Sequence, residues 1–146
     1  MKRMRIAAGL VAMIAVATAI PAMGADKNGP SALNGTYRVT ITDVDLNANG
    51  VTRIGDLREN HGLFTWVLRD GRWRAHQQAT NHLFHPNVAG TYTVNGDRVT
   101  FRWTGGPPPV TLRWKRSGGQ LRLTVIGGGD RIIRTLFTAH PWKKIG

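Results

Sequence analysis

Cysteine is absent from the 146 residues, so no disulfide can staple the fold and no thiolate can act as nucleophile or metal ligand. Serine is nearly absent. Ser31 lies in a stretch bearing Gly and Pro, and Ser117 stands beside Gly118-Gly119. Neither position suits a nucleophile flanked by a base and an oxyanion hole, which argues against Ser- or Cys-based acyl transfer. Acidic residues are also few, eight against 20 Lys and Arg. Asp43, Asp45, Asp56 and Glu59 crowd one segment, while Asp70, Asp97 and Asp130 fall at turns, so a carboxylate pair for glycoside cleavage is hard to assemble. No phosphate-cradling GxGxxG or GxxxxGK run occurs. These absences predict a protein that is not an enzyme and needs no cofactor.

At the start of the chain, Lys2, Arg3 and Arg5 precede an apolar run from Ile6 to Ile20, and Pro21 ends that run before Ala22-Met23-Gly24. This is the order of parts of a secretory signal, with cleavage expected between Gly24 and Ala25. The competing reading is an uncleaved membrane anchor, but the run is shorter than the ~20 residues a spanning helix needs. No Cys follows the cleavage position, so no lipoprotein-type anchor is expected, and no second apolar run predicts another span. The expectation is a secreted, extracytoplasmic monomer in three parts: signal peptide 1–24, flexible lead-in 25–32 and a single domain 33–146. A domain of this length can enclose one core, and without disulfides burial must hold it together.

Removal of the signal leaves 17 basic residues against eight acidic ones, a formal +9. From Asp97 onward ten basic residues stand against two acidic ones. Such a surface attracts envelope polymers or anionic lipid head groups. The plainer reading is that Arg and Thr coat the solvent side of a sheet. Nucleic acid is not the expected partner, because the outward aromatics that stack single-stranded bases are missing.

From Gly35 onward apolar and polar residues alternate in short runs separated by turn residues, the period-2 pattern of half-buried antiparallel strands. Eight strands are predicted: Thr36 to Ile41, Leu63 to Arg69, Trp73 to Gln78, Gly90 to Val94, Arg98 to Trp103, Val110 to Arg116, Gln120 to Ile126 and Arg131 to Thr138. Asp70-Gly71 and Asn95-Gly96 are hairpin signals. Gly105-Gly106-Pro107-Pro108-Pro109 must be a stiff loop. Asp43 to Asn60 reads as one or two short helical turns, with Gly62 placed to end the second. The fold expected is all-β, an eight-stranded antiparallel up-and-down barrel with a short helical segment between strands one and two; closure removes the exposed edges of a flat meander. A β-sandwich is the rival.

Gly35-Thr36-Tyr37 opening the first strand, a long first connection, tight hairpins thereafter and the late basic residue Arg134 resemble the lipocalin or calycin group of barrels, with Tyr37 where lipocalins usually carry Trp. That resemblance implies a barrel mouth open to a small apolar molecule. The closing run Phe137-Thr138-Ala139-His140-Pro141-Trp142 also resembles the end of small secreted actinobacterial domains, a likeness that implies no activity.

An eight-stranded barrel is either filled by its own side chains or holds one small ligand. In the second case Tyr37, Phe64, Trp66, Trp73, Tyr92, Phe101, Trp103 and Trp114 are the candidate ligand-binding residues, offering flat apolar contact with an N–H or O–H for orientation. On the outward faces Arg98, Arg102, Arg113 and Lys115 form the densest candidate anion site, since guanidinium groups match phosphate and carboxylate forks. Asp45, Asn47 and Asn49, with Gly50 and then Asp56, follow the spacing of a calcium loop, although Asn, Asp and Gly are also ordinary turn formers. His76, His82 and His85 could approach zinc-ligand spacing with a contribution from His140, or lie in a solvated loop; no metal site is assigned. Trp142 and Ile145 suggest that the last residues pack on the barrel.

Overall fold

The computed structural model describes residues 29–78 and 87–146. The expected signal peptide, most of the lead-in, His82 and His85 lie outside these residues. The eight strands are β1 (Gly35–Ile41), β2 (Gly62–Arg69), β3 (Arg72–Gln78), β4 (Asn87–Asn95), β5 (Arg98–Trp103), β6 (Val110–Ser117), β7 (Gln120–Gly128) and β8 (Trp142–Lys144). They form a closed antiparallel barrel in chain order, β8 pairing with both β7 and β1. Helices α1 (Asp43–Ala48) and α2 (Ile54–Asn60) connect β1 to β2, and α3 (Arg131–Thr138) precedes β8. No helix among the described residues is long and apolar enough to cross a membrane.

The barrel has two unlike ends. At one end lie three two-residue hairpins, whose turn glycines set the strand register. Asp70 and Gly71 both have positive φ, 48° and 83°, as a turn matching the twist of its flanking strands requires. The hairpin expected at Asn95-Gly96 is centred one residue later: Asn95 pairs with Arg98, leaving Gly96-Asp97 as the turn, with Gly96 at φ 59°. A single glycine at the first central position supports that geometry while Asn95 stays in the strand. This hairpin end is plugged by a 3-10 turn, Pro30–Leu33, whose Leu33 is fully buried. Tyr37 Oη donates to the Leu33 carbonyl at 3.0 Å and Tyr92 Oη to that of Pro30 at 2.9 Å. Pro30 to Ala32, assigned from sequence to the flexible lead-in, are therefore part of the packed barrel.

The main departure from expectation is Arg131 to Thr138, which is a helix rather than the eighth strand. Its many β-branched residues mimic a strand. Two other features decide the outcome. Asp130 caps the helix by accepting the Ile133 N–H at 2.8 Å, and Ile133, Leu136 and Phe137 fall at the i, i+3, i+4 spacing of one helical face. Thr135 and Thr138 return their hydroxyls to the carbonyls four residues back, which removes their usual competition with helix. The count of eight strands is kept because β8 closes the ring, burying Trp142 completely. The tail continues that pairing: Ile145 N–H donates to the Thr36 carbonyl and Thr36 N–H to that of Gly146. Gly62 does not end α2 but opens β2; His61 occupies the helix C-cap.

Candidate functional site

Opposite the hairpin end, α2, α3 and the Gly105-Gly106-Pro107 loop surround an opening into the barrel of about 540 Å³. Strand alternation directs Phe64, Trp66, Ala75 and Gln77 inward to its wall, and the helical spacing of α3 adds Ile133 and Leu136. Trp103 closes one side. Asn60, Asn87 and Thr104 supply neutral polar groups, and Glu59 is the one ionisable side chain among the described lining. The size and the apolar lining with a few polar groups fall within the range of small-molecule sites.

Beneath the opening the barrel is filled with rings. Trp66 stacks on Trp142 at 4.8 Å with planes 19° apart, and also packs against Phe137 at 5.0 Å and Trp73 at 5.2 Å. The indole N–H groups of Trp66 and Trp142 are buried with no acceptor among the described residues. A buried donor without a partner is costly, and native interiors seldom tolerate one. Gln77, only 4% exposed, is satisfied differently: its Nε2 donates to the carbonyls of Glu59 and His61 at 2.8 and 2.7 Å, tying the C-terminal end of α2 to β3.

The eight expected ligand-binding residues therefore separate. Phe64, Trp66 and Trp103 line the opening. Tyr37, Trp73, Tyr92 and Phe101 lie in the sealed core instead. Burial pushes the Tyr37 and Tyr92 hydroxyls above their ordinary value; the Arg116 guanidinium partly offsets this for Tyr37, and the Gly71 backbone contact does so for Tyr92. The Trp73 N–H serves the carbonyls of Thr91 and Arg102. Trp114 lies at the hairpin end, donating to the Gly96 carbonyl. Ile133, Leu136, Gln77 and Asn87 were not among the sequence candidates; the helical spacing after Asp130 was the available signal for the first two.

Arg134, the late basic residue of the lipocalin resemblance, sits on α3 and donates to the carbonyls of Gly128 and Gly129. The guanidinium beside Tyr37 belongs to Arg116, whose Nη2 donates to the phenol oxygen at 2.6 Å.

Among the described residues no group of three or more His, Asp or Glu side chains is placed to hold a metal ion. Asp45 caps α1: it accepts from the Thr42 N–H and hydroxyl through Oδ2 and meets His140 Nε2 through Oδ1 at 3.0 Å. Burial alone would raise its pKa, but the Thr42 hydrogen bonds and His140 outweigh that and hold the carboxyl below the usual range. Asn47 lies within α1, Asn49 donates back to the Asp45 carbonyl, and Asp56 is on α2 facing Arg53. His76 meets Asn87 Oδ1 at 3.0 Å on the outer wall, a contact separate from the His140–Asp45 pair. His61 pairs with Asp43 at 2.7 Å, so two His–Asp contacts hold α1 to the barrel.

Of the expected anion-binding residues, Arg98 and Arg113 are directly opposed on β5 and β6, and Arg113 Nε is paired with Asp97 at 2.8 Å. Lys115 is opposed by Arg122. Arg102 stands apart, four residues along β5 from Arg98 and opposite Thr91.

Fold and opening together define a closed up-and-down barrel with one plugged end, an aromatic floor and a pocketed mouth opposite the plug. Comparison with protein-family models, with curated proteins and with solved structures finds no match to this chain.

Proposed function

We propose that this protein is a secreted, non-enzymatic carrier that takes a small apolar or amphipathic molecule into the mouth of its barrel, in the manner of the lipocalin group it resembles. The observation that carries this reading is the opening of about 540 Å³ floored by Trp66 and walled by Phe64, Trp103, Ile133 and Leu136. The apolar body of a ligand would displace water from these rings, while Asn60, Asn87 and Thr104 at the rim would orient a neutral polar head. Because Trp66 and Trp103 line the mouth, occupancy will change tryptophan emission. The test pairs native mass spectrometry of the protein isolated from its own host with fluorescence titration against a lipid panel. A co-purifying small molecule and saturable quenching are expected, and the absence of both would sink the proposal.

A second reading, contact of the outer wall with anionic envelope components, is favoured by the sorting of charge. The strands carry twelve Lys and Arg and not one Asp or Glu; every described acidic residue lies in a helix, cap or turn.

A further inference from the structure

The barrel wall has a cationic belt with a recess in it, and we infer that the outer face of the β6–β7 hairpin binds phosphate groups of a linear phosphate-backbone polymer. This deepens the second reading by naming the site and the chemistry. Arg38 opposes Lys143, and Lys115 opposes Arg122, in register across neighbouring strands. Directly opposed side chains in antiparallel pairs lie close enough that like charges destabilise the sheet. The two pairs are joined, since Lys143 opposes Gln120, which shares its face of β7 with Arg122 two residues on. A run of cations thus crosses β1, β8, β7 and β6. No ion pair engages any of these four cations among the described residues, whereas the neighbouring Arg113 is neutralised by Asp97.

At the β6–β7 end of the run is a recess of about 320 Å³ lined by Lys115, Ser117, Gln120 and Arg122. Two cations, a hydroxyl and a carboxamide, with no apolar side chain, make up a set of donors for tetrahedral oxyanions. The wall curves around a closed barrel, so a flexible chain can follow the belt while a flat bilayer would meet only part of it. No aromatic is among the exposed large hydrophobic residues described, so the wall offers no platform for stacked nucleobases. The fitting partner is a polymer recognised through its backbone charge alone.

The test uses the full chain and end-labelled inorganic polyphosphate, followed by fluorescence anisotropy across a salt series. If Arg38, Lys143, Lys115 and Arg122 each neutralise one phosphate, the slope of log affinity against log salt is about −2.8, an affinity loss of about 50-fold between 50 and 200 mM NaCl. K115Q/R122Q should halve that slope, leaving a loss of about sevenfold over the same range. R69Q/R72Q removes the same charge from an opposed pair on β2 and β3, on the far side of the ring, and should leave the slope unchanged. Equal weakening by both variants overturns the site while leaving a diffuse basic wall. Absence of salt-dependent binding by the parent chain overturns the second reading altogether. Binding to anionic vesicles but not to polyphosphate overturns the polymer as occupant. Far-UV circular dichroism confirms folding; both variants relieve repulsion, so neither should melt earlier than the parent.

Discussion

Leu136 and Phe137 are adjacent in sequence, and their paired truncation separates a strand from a helix. In a strand, neighbouring side chains point to opposite faces, so a segment with Phe137 inside would leave Leu136 in water. In α3 both are covered, Leu136 8% and Phe137 0% exposed. Phe137 packs at ring distances of 4.9 Å from Phe101, 5.0 Å from Trp66 and 5.1 Å from Trp142. Truncating a fully buried Phe costs about 3–5 kcal/mol, and a buried Leu about 2–5. Leu136 borders the open mouth, where water can reach part of the space vacated, so its cost falls at the lower end, about 2 kcal/mol. For a domain of this size each kcal/mol shifts the melting temperature by about 3–5 °C, so Phe137→Ala should lower it by about 9–25 °C and Leu136→Ala by about 6–10 °C. Urea unfolding followed by far-UV circular dichroism gives both free energies without depending on the tryptophans that the substitutions disturb. A Leu136→Ala effect within about 0.5 kcal/mol, the range of an ordinary surface change, alongside a large Phe137→Ala effect would refute the helix and restore the strand.

Gly90 of β4 lies opposite Trp103 on β5 and Trp73 on β3, and a Cβ there would come within 1.8 Å of the Arg102 carbonyl oxygen and 2.8 Å of the Trp73 indole. Gly90→Ala should therefore cost at least about 3 kcal/mol, above the usual range for overpacking because backbone is the obstacle; an unchanged urea midpoint would contradict this packing. Asp45 supplies a pH-dependent contribution of predictable sign. Its folded pKa lies below its unfolded value, so the stability it adds is present above about pH 4 and is lost as pH falls through the folded pKa. Asp45→Asn should cost about 1 kcal/mol at neutral pH through the capping box, and the gap from the parent chain should narrow in acid. A gap that stays constant between about pH 7 and pH 2 would remove the carboxylate from that role.

Much of the barrel is legible in the sequence because period-2 alternation and turn chemistry are local. Tyr37, Val39 and Ile41 had to share a face, Asp70-Gly71 had to turn, and seven of the eight strands follow from such patterns. The segment after Asp130 was misleading because Ile132, Ile133 and Thr135 satisfy β propensity while their spacing satisfies a helix, and local preference cannot rank the two. The three-residue strand β8 carries almost no pattern of its own; it exists because β1 and β7 leave a gap that Trp142 fills.

The candidate site divides in the same way. That aromatic residues would crowd the interior was evident from alternation, since a strand residue's face depends only on its parity. Which of them would be sealed and which would face an opening depended on what plugs each end: the Pro30–Leu33 turn covers Tyr37 and Tyr92, while α3 leaves Trp66 and Trp103 at the mouth. The abundance of cations was likewise plain from composition. Their opposition across β6 and β7, and the pairing of Arg113 with Asp97, arose only from strand register, which brings together residues that the chain keeps apart. Residue type and parity were thus enough to specify an antiparallel all-β chain, its apolar face and the sign of its surface, while leaving barrel and sandwich both open. Closure into a barrel, the open end, the closing strand and the grouping of charge arise from contacts between segments distant in the chain, which local pattern does not encode.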